Sequence, residues 1–349
     1  MELFLDLPNF VVTRAPFRIS FAGGGTDLPS FYKREYGAVV STTIDKYVYV
    51  MINTCRPILH QGVDEPGRYR IRLSYSTTEN VNHPRELKHS IVREAMTLLE
   101  LDVPMDISTM ADVPAGMGLG SSGTFSVALL DALHLVKGEH PTAEQLAEEA
   151  AFIEMELLGR SVGKQDHYAA AYGGLNTIRF LVNGGVDVSP INQTDTVIGQ
   201  LFPSLMLFYT GESRDAAQVL ADQQSNVESL MDDLLTIRGH AQDLENILID
   251  GFLVESLGNL LNQTWMKKRQ LANSISNSII DDCYERALKA GALGGKICGA
   301  GGGGFLLVVV KEENKQNVKI ALSDLDELKI GYEPNGSQQL VAAGPAQVI

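Results

Sequence analysis

The chain has 349 residues, 44% of them hydrophobic and 20% charged, with a net charge of −15 at pH 7. The length exceeds one typical core and predicts two domains, and the acidic balance argues against nucleic acid, whose binding leans on basic patches. Cys55, Cys283 and Cys298 are too few and too scattered for a disulfide framework or a zinc site.

The first hundred residues read as strands, rich in Val, Ile, Tyr and Thr over Val11–Ala22, Val39–Thr43, Tyr47–Cys55 and Tyr69–Ser76. A helix is expected over His89–Leu101. Met105–Ala111 alternates like a strand and runs into Pro114-Ala115-Gly116-Met117-Gly118-Leu119-Gly120-Ser121-Ser122-Gly123. Behind that string Phe125, Ala128, Leu129, Ala132, Leu133 and Val136 recur at helical spacing. Thr142 and Gln145 form a capping box behind Pro141 and open a helix to about Leu158. The segment Phe180–Thr196, with its Gly, Pro and Asn residues, is the expected junction between domains 1–188 and 189–349. Leu205–Tyr209 reads as a buried strand, and helical patterning then runs from about Arg214 to Ala290, with Gly291 as its cap. The cluster Gly299-Ala300-Gly301-Gly302-Gly303-Gly304 leads into a strand at Phe305–Val310. Strands and helices are grouped rather than strictly alternating, so the predicted class is α+β. Met1–Asn9 shows no basic segment followed by an apolar core, and Phe305–Val310 is too short to span a membrane. A cytoplasmic protein with no membrane partner is the expectation.

A strand, a glycine loop and a helix N-terminus in that order make an anion site, because the loop N–H groups converge and the helix dipole favours negative charge. With a net charge of −15 the molecule as a whole repels anions, so local donors must hold a phosphate. Gly118-x-Gly120-x-x-Gly123 and Gly299-x-Gly301-x-x-Gly304 both match the dinucleotide pattern formally. The second runs into a strand, and the first has no strand ending in an acidic residue about twenty positions on. The P-loop pattern and the protein-kinase signatures are absent.

Three segments in order resemble the three motifs of the GHMP kinases, the family of galactokinase, homoserine kinase and mevalonate kinase. They are Arg14-Ala15-Pro16-Phe17-Arg18-Ile19-Ser20 running into Gly23-Gly24-Gly25-Thr26-Asp27, the Pro114–Gly123 loop, and Gly294-Gly295-Lys296-Ile297-Cys298-Gly299 through Phe305. Within the family the chain is similar to the bacterial heptose kinases that phosphorylate D-glycero-D-manno-heptose 7-phosphate at O1. Gly23-Gly24-Gly25-Thr26-Asp27-Leu28-Pro29 resembles that subgroup, where galactokinases carry Gly-Glu-His-Thr-Asp. Gly163-Lys164-Gln165-Asp166 through Asn176 and Trp265-Met266-Lys267-Lys268-Arg269 through Gly304 resemble it too. L-fucokinases share part of the pattern. The resemblance implies a ribosomal protein S5 domain 2-like N-terminal domain and a ferredoxin-like C-terminal domain, with ATP and sugar meeting between them. It implies an ATP- and Mg²⁺-dependent sugar 1-kinase whose product serves nucleotide-activated heptose synthesis. The alternatives are another sugar 1-kinase of the L-fucose type and a non-catalytic sensor of ATP and sugar.

Phosphoryl transfer asks a protein for positioning, a metal and charge stabilisation. On the resemblance, Gly116, Gly118, Leu119, Gly120, Ser121, Ser122 and Gly123 hold the ATP phosphates. Ser122, with Ser121 as its neighbour and alternative, joins Glu154 as a ligand of Mg²⁺; Glu156 is the other carboxylate nearby. The stretch from Gly159 to Asp166 is one residue longer than in the mevalonate kinase pattern. Asp166 is the candidate base for the anomeric hydroxyl, or acts electrostatically, and Arg18 is its basic partner. Gly25, Thr26 and Asp27 are expected at the sugar, with Gly302 and Gly303 closing over the phosphates or the sugar. A substrate that already bears a phosphate needs a second anion site, for which Lys164, Arg214 and the Lys267-Lys268-Arg269 run are candidates. The seven histidines show no metal-ligand spacing. The oligomeric state is open, a homodimer included.

Overall fold

In a computed structural model of the chain, residues 8–54, 69–191, 195–211 and 228–344 are described. Strand β1 (Phe10–Ala22) leads through the short helix α1 (Pro29–Tyr32) to β2 (Gly37–Asn53), and the two pair antiparallel along nearly their whole length. The sequence pattern predicts two strands where β2 is one. A register shift opposite Pro16–Arg18 absorbs the interruption, so that Pro16 faces Tyr47 and Arg18 faces Thr43. Next come β3 (Ile71–Ser74), β4 (Thr78–Val81), helix α2 (Ser90–Leu98) and β5 (Met105–Ala111). Helices α3 (Ser121–Val136), α4 (Ala143–Phe152) and α5 (Gln165–Tyr172) follow, then the hairpin β6 (Leu175–Phe180) and β7 (Val186–Pro190). The expected cap of α4 is present, with Thr142 Oγ1 accepting from Gln145 N at 3.1 Å.

The second half holds α6 (Asp195–Leu201), β8 (Leu205–Tyr209), α7 (Met231–Asp250), α8 (Val254–Lys268), α9 (Ser278–Lys289), β9 (Ala292–Ile297), β10 (Phe305–Val310), α10 (Lys315–Ala321), β11 (Asp326–Leu328) and β12 (Gln338–Ala343). Two sheets result. The larger has eight strands in the order β12-β1-β2-β5-β3-β4, with β6 and then β7 continuing from the first half of β2. The smaller is antiparallel, in the order β11-β8-β10-β9. The α+β class expected from the sequence is the class observed. The boundary drawn at residue 188 falls inside β7, and β12, from the far end of the chain, pairs with β1 in the first sheet.

Three apolar cores hold these layers. One lies between the large sheet and helices α2 to α5, where the alternating inward residues of β2 and β5, such as Val50, Ile52 and Ile107, meet Val127, Leu130 and Leu133 of α3. The middle core joins Phe17, Ile19 and Phe21 of β1 to Leu244 and Leu261 and to Leu207, Leu307 and Val309 of the small sheet. The third fills the outer face of that sheet, where Met206, Phe208, Leu306 and Val308 meet Trp265, Tyr284 and Val318. Strand β10 is buried on both faces, which is why it reads as an unbroken apolar run. Among the described residues no helix is long and apolar enough to cross a membrane. The ends of β1, α8 and β9 and the starts of α3 and α5 meet at one place, where the candidate site lies.

Candidate functional site

At that meeting point is a cavity of about 650 Å³ lined from both halves of the chain. The Gly116–Gly120 turn forms one wall. Gly120, with φ +84°, is the N-cap of α3, so the first N–H groups of that helix open towards the cavity. The turn is anchored by Arg18, whose backbone N–H donates to Leu119 O at 3.2 Å and whose Nη1 donates to Gly118 O at 2.8 Å. The second glycine cluster lies against the first. A Cβ on Gly118 would sit 2.5 Å from Cys298 O, and one on Gly304 would sit 2.4 Å from Met117 O. Close backbone approach explains those glycines. Gly302 is tied by its N–H to Ile275 O at 2.8 Å, while Gly303 faces the cavity.

Asp166 stands in the first turn of α5, and Arg18 reaches it from β1 with a hydrogen bond from Nε and an ion-pair contact from Nη2. Nε and Nη2 both lie 2.7 Å from Oδ1. No described residue donates to Oδ2, which leaves that oxygen for a ligand. Gly120 and Gly123 pack on this side chain; a Cβ at Gly123 would come within 2.9 Å of Asp166 Cβ. The pair, with Arg18 buried and Asp166 partly exposed, therefore sits directly beneath the helix N-terminus.

The two serines separate by geometry. Ser121 Oγ accepts from Gly116 N at 3.4 Å and braces the loop. Ser122 Oγ donates to Glu154 Oε2 at 2.6 Å. Glu154 is fully buried and lies in a π-helical turn, Ile153–Leu157, that extends α4 beyond its regular end. Such a wide turn is frequent at functional sites because it re-aims a side chain without ending the helix. Ser126 Oγ donates to Glu154 Oε1 at 3.1 Å, Arg160 Nη1 to Oε2 at 2.8 Å, and His167 Nε2 lies 3.2 Å from Oε1. Burial pushes the Glu154 carboxyl up, but His167, Ser122 and Arg160 outweigh it and bring it down to about 2. Ser122 and Glu154 are adjacent hard oxygen donors, the kind of ligand that suits Mg²⁺, which keeps several waters or phosphate oxygens. Among the described residues no cluster of three or more His, Cys, Asp or Glu is arranged to hold a metal.

On the facing wall, Asp27 is buried, its Oδ1 accepting from Gly25 N at 2.9 Å and its Oδ2 from Gln165 N at 3.5 Å. Burial, and then the charge of Asp166, raise its pKa. Thr26 is turned away from the cavity, with Oγ1 on Gly23 O at 2.8 Å, and serves the turn itself. Lys164 also points elsewhere. Its Nζ donates to Gly184 O at 2.6 Å and lies 5.5 Å from the Tyr32 ring centre. Arg214 lies outside the described residues. Of the basic run at the end of α8, Lys267 pairs with Asp233 at 2.9 Å and Arg269 with Asp281 at 2.5 Å, whereas Lys268 enters the cavity.

Lys268, Arg160, Gln165 and His89 are cavity residues that sequence reasoning did not single out individually. Lys268 had a legible signal, since Leu257, Leu261, Thr264 and Lys268 share the buried face of α8 at spacings of four, three and four. Burial lowers its pKa to about 8, with Asp27 raising it and Arg18 lowering it. Arg160 had no such signal, because the π turn brings it back to Glu154. His89, Ile91 and Phe125 make an apolar and aromatic end to the cavity, the His89 and Phe125 rings lying 5.1 Å apart.

Models of the GHMP kinase N-terminal and C-terminal domains match residues 89–174 and 249–326. D-glycero-alpha-D-manno-heptose 7-phosphate kinase of Campylobacter jejuni is 28% identical over 323 residues, covering 89% of this chain and 92% of that one. The bifunctional fucokinase/GDP-fucose pyrophosphorylase of Arabidopsis thaliana is 27% identical over 326 residues, which are 88% of this chain and 30% of that longer protein. The crystal structure of a D-glycero-D-manno-heptose 1-phosphate kinase from Bacteroides thetaiotaomicron superposes with a TM-score of 0.76 at 24% identity, covering 95% of this chain and 99% of that one. Both domain models, the shared fold and the cavity built from all three sequence motifs agree: the chain carries the N-terminal and C-terminal domains of the GHMP kinases, a family of phosphotransferases with a hydroxyl group as acceptor.

Proposed function

We propose that the chain transfers the γ-phosphoryl group of ATP to the anomeric O1 of D-glycero-D-manno-heptose 7-phosphate, giving the 1,7-bisphosphate. The observation that carries this reading is the Arg18–Asp166 pair beneath the N-terminus of α3, with Asp166 lining the cavity and its Oδ2 accepting from no described residue. ATP phosphates are received by the N–H groups of the Gly116–Ser122 turn, and the base packs at the Ile91, Phe125 and His89 end. Asp166 accepts or orients the O1 proton, while Arg18 holds the carboxylate in place and offsets charge on the transferring group. An anomeric hydroxyl is more acidic than an ordinary alcohol, so the base has a mild task. Asp27 accepts hydrogen bonds from sugar hydroxyls. Mg²⁺, held by Ser122 and Glu154, supplies charge neutralisation at the phosphates. Glu154, ionised down to about pH 2, is ready for that role throughout the working range.

An L-fucose-type sugar is the second reading, favoured by the 326-residue alignment with the fucokinase-bearing relative. A panel of free and phosphorylated sugars with Mg-ATP, followed by ADP release, separates the two. Heptose 7-phosphate is expected to give the highest kcat/KM; turnover of free fucose with none of heptose 7-phosphate overturns the proposal.

A further inference from the structure

Resting on the sugar-phosphate reading above, we propose that the hollow over Gly24 is the subsite for the acceptor's own phosphate, and that Lys268 within it sets the preference for a phosphorylated over a free sugar. Gly24 has no side chain, and a Cβ built there would lie 3.8 Å from each of Lys268 Nζ, Gln165 Nε2 and Ser20 Oγ. An ammonium, an amide and a hydroxyl thus converge on one empty point, and all four residues line the cavity.

Each of these groups is short of partners. Lys268 is 4% exposed, its Nζ donates to Gly299 O, and no carboxylate among the described residues lies within ion-pair distance. An ammonium has three N–H donors, and a buried cation without a counter-ion is costly. The Ser20 hydroxyl is also buried without a hydrogen-bond partner, and Gln165 Nε2, the amide atom that faces the hollow, donates to no described residue. Buried polar groups are normally satisfied, so three under-satisfied neighbours around a void describe a site that a ligand completes. Asp27 makes no ion pair with the lysine, and both of its oxygens accept from backbone N–H groups. A sugar hydroxyl would satisfy one donor and leave the cation uncompensated. A phosphate supplies several acceptor oxygens and the missing charge together. The donors for ATP, in the Gly116–Ser122 turn, are separate from these three.

Two variants test the subsite, with D-glycero-D-manno-heptose 7-phosphate and the free heptose as paired acceptors. Lys268→Met removes the charge and keeps an apolar stem. Gly24→Ala places a methyl group in the hollow, where it meets only ordinary contacts and no left-handed backbone conformation. In Lys268→Met the ratio of kcat/KM for the phosphorylated over the free sugar falls on the order of 10²-fold, with KM for the sugar phosphate rising more than KM for ATP. Gly24→Ala shifts the same ratio in the same direction, and it decides the matter if the lysine variant does not fold. A wild type that prefers the phosphate, with variants that keep that preference, overturns the subsite and leaves the kinase reading standing. Losses borne equally by both sugars place the ammonium on the transferred phosphoryl group and also overturn it. A wild type that uses free heptose as well as its 7-phosphate overturns both the subsite and the reading beneath it.

Discussion

Asp166 Oδ1 accepts from Arg18 Nε with Nη2 beside it, no described residue donates to Oδ2, and the residue lines the cavity. Asp166→Asn keeps the shape and removes the basic oxygen pair, so kcat should fall about 10²- to 10⁴-fold with little change in nucleotide affinity, measured by steady-state kinetics and nucleotide titration. Unchanged kcat would remove Asp166 as base. Lys268 and Glu154 set opposite pH limits. The Lys268 amine, lowered to about 8 by burial, loses its charge as pH rises through that value, and kcat/KM for the phosphorylated acceptor should decline there in the wild type but not in Lys268→Met. Glu154, lowered from 4.5 to about 2, stabilises the fold fully above 4.5 and loses that contribution as pH falls towards 2. Urea unfolding should therefore show the gap between wild type and Glu154→Gln closing over that window. At this scale the motif residues were legible because glycine turns and paired charges have local signatures. Arg160 was not, because its contact with Glu154 depends on a π turn that no propensity announces.

Among the elements, α3 does most to join the fold to the site. Its first turn faces the cavity, and its last turn carries His134, buried between Glu139 at 2.6 Å and Glu149 at 2.7 Å. Glu149 belongs to α4, so the imidazole ties the helix of Ser122 to the helix that runs on to Glu154. Burial lowers the His134 pKa, but Glu149 and Glu139 outweigh it and raise it above 6.5. The stabilisation is complete below 6.5 and is lost as pH rises through the raised folded value. His134→Asn should cost about 1–3 kcal/mol at pH 6 and less in alkaline solution, read from thermal or urea unfolding; a cost that does not vary with pH would contradict the ion-pair account. Strands Met105–Ala111, Leu205–Tyr209 and Phe305–Val310 were readable to the residue, since alternation or continuous burial marks them. Strand β7 was hidden inside a Gly- and Pro-bearing segment that reads as a linker, because an edge strand tolerates such residues.

For the whole molecule, the least legible feature is the return of β12 to β1. Its exposed, weakly apolar residues carry no strong strand signal, and the pairing spans more than 300 positions. Ser337 Oγ and Gln339 Nε2 both donate to Asp131 of α3, at 2.6 and 3.1 Å, so the strand seals the back of the helix that holds the phosphate loop. Truncation after Asn335 should lower the melting temperature and leave Asp131 without these partners. The two-domain α+β organisation was legible from grouped elements and three ordered motifs, whereas the depth of the cavity between the sheets was not, since it arises from contacts between distant segments. The central claim is transfer from ATP to an anomeric hydroxyl in that cavity. Its most direct test is ³¹P NMR of a reaction with Mg-ATP and D-glycero-D-manno-heptose 7-phosphate. The account predicts ADP and a new phosphomonoester signal coupled to the anomeric proton; intact ATP, or a new phosphate at any other carbon, would contradict it.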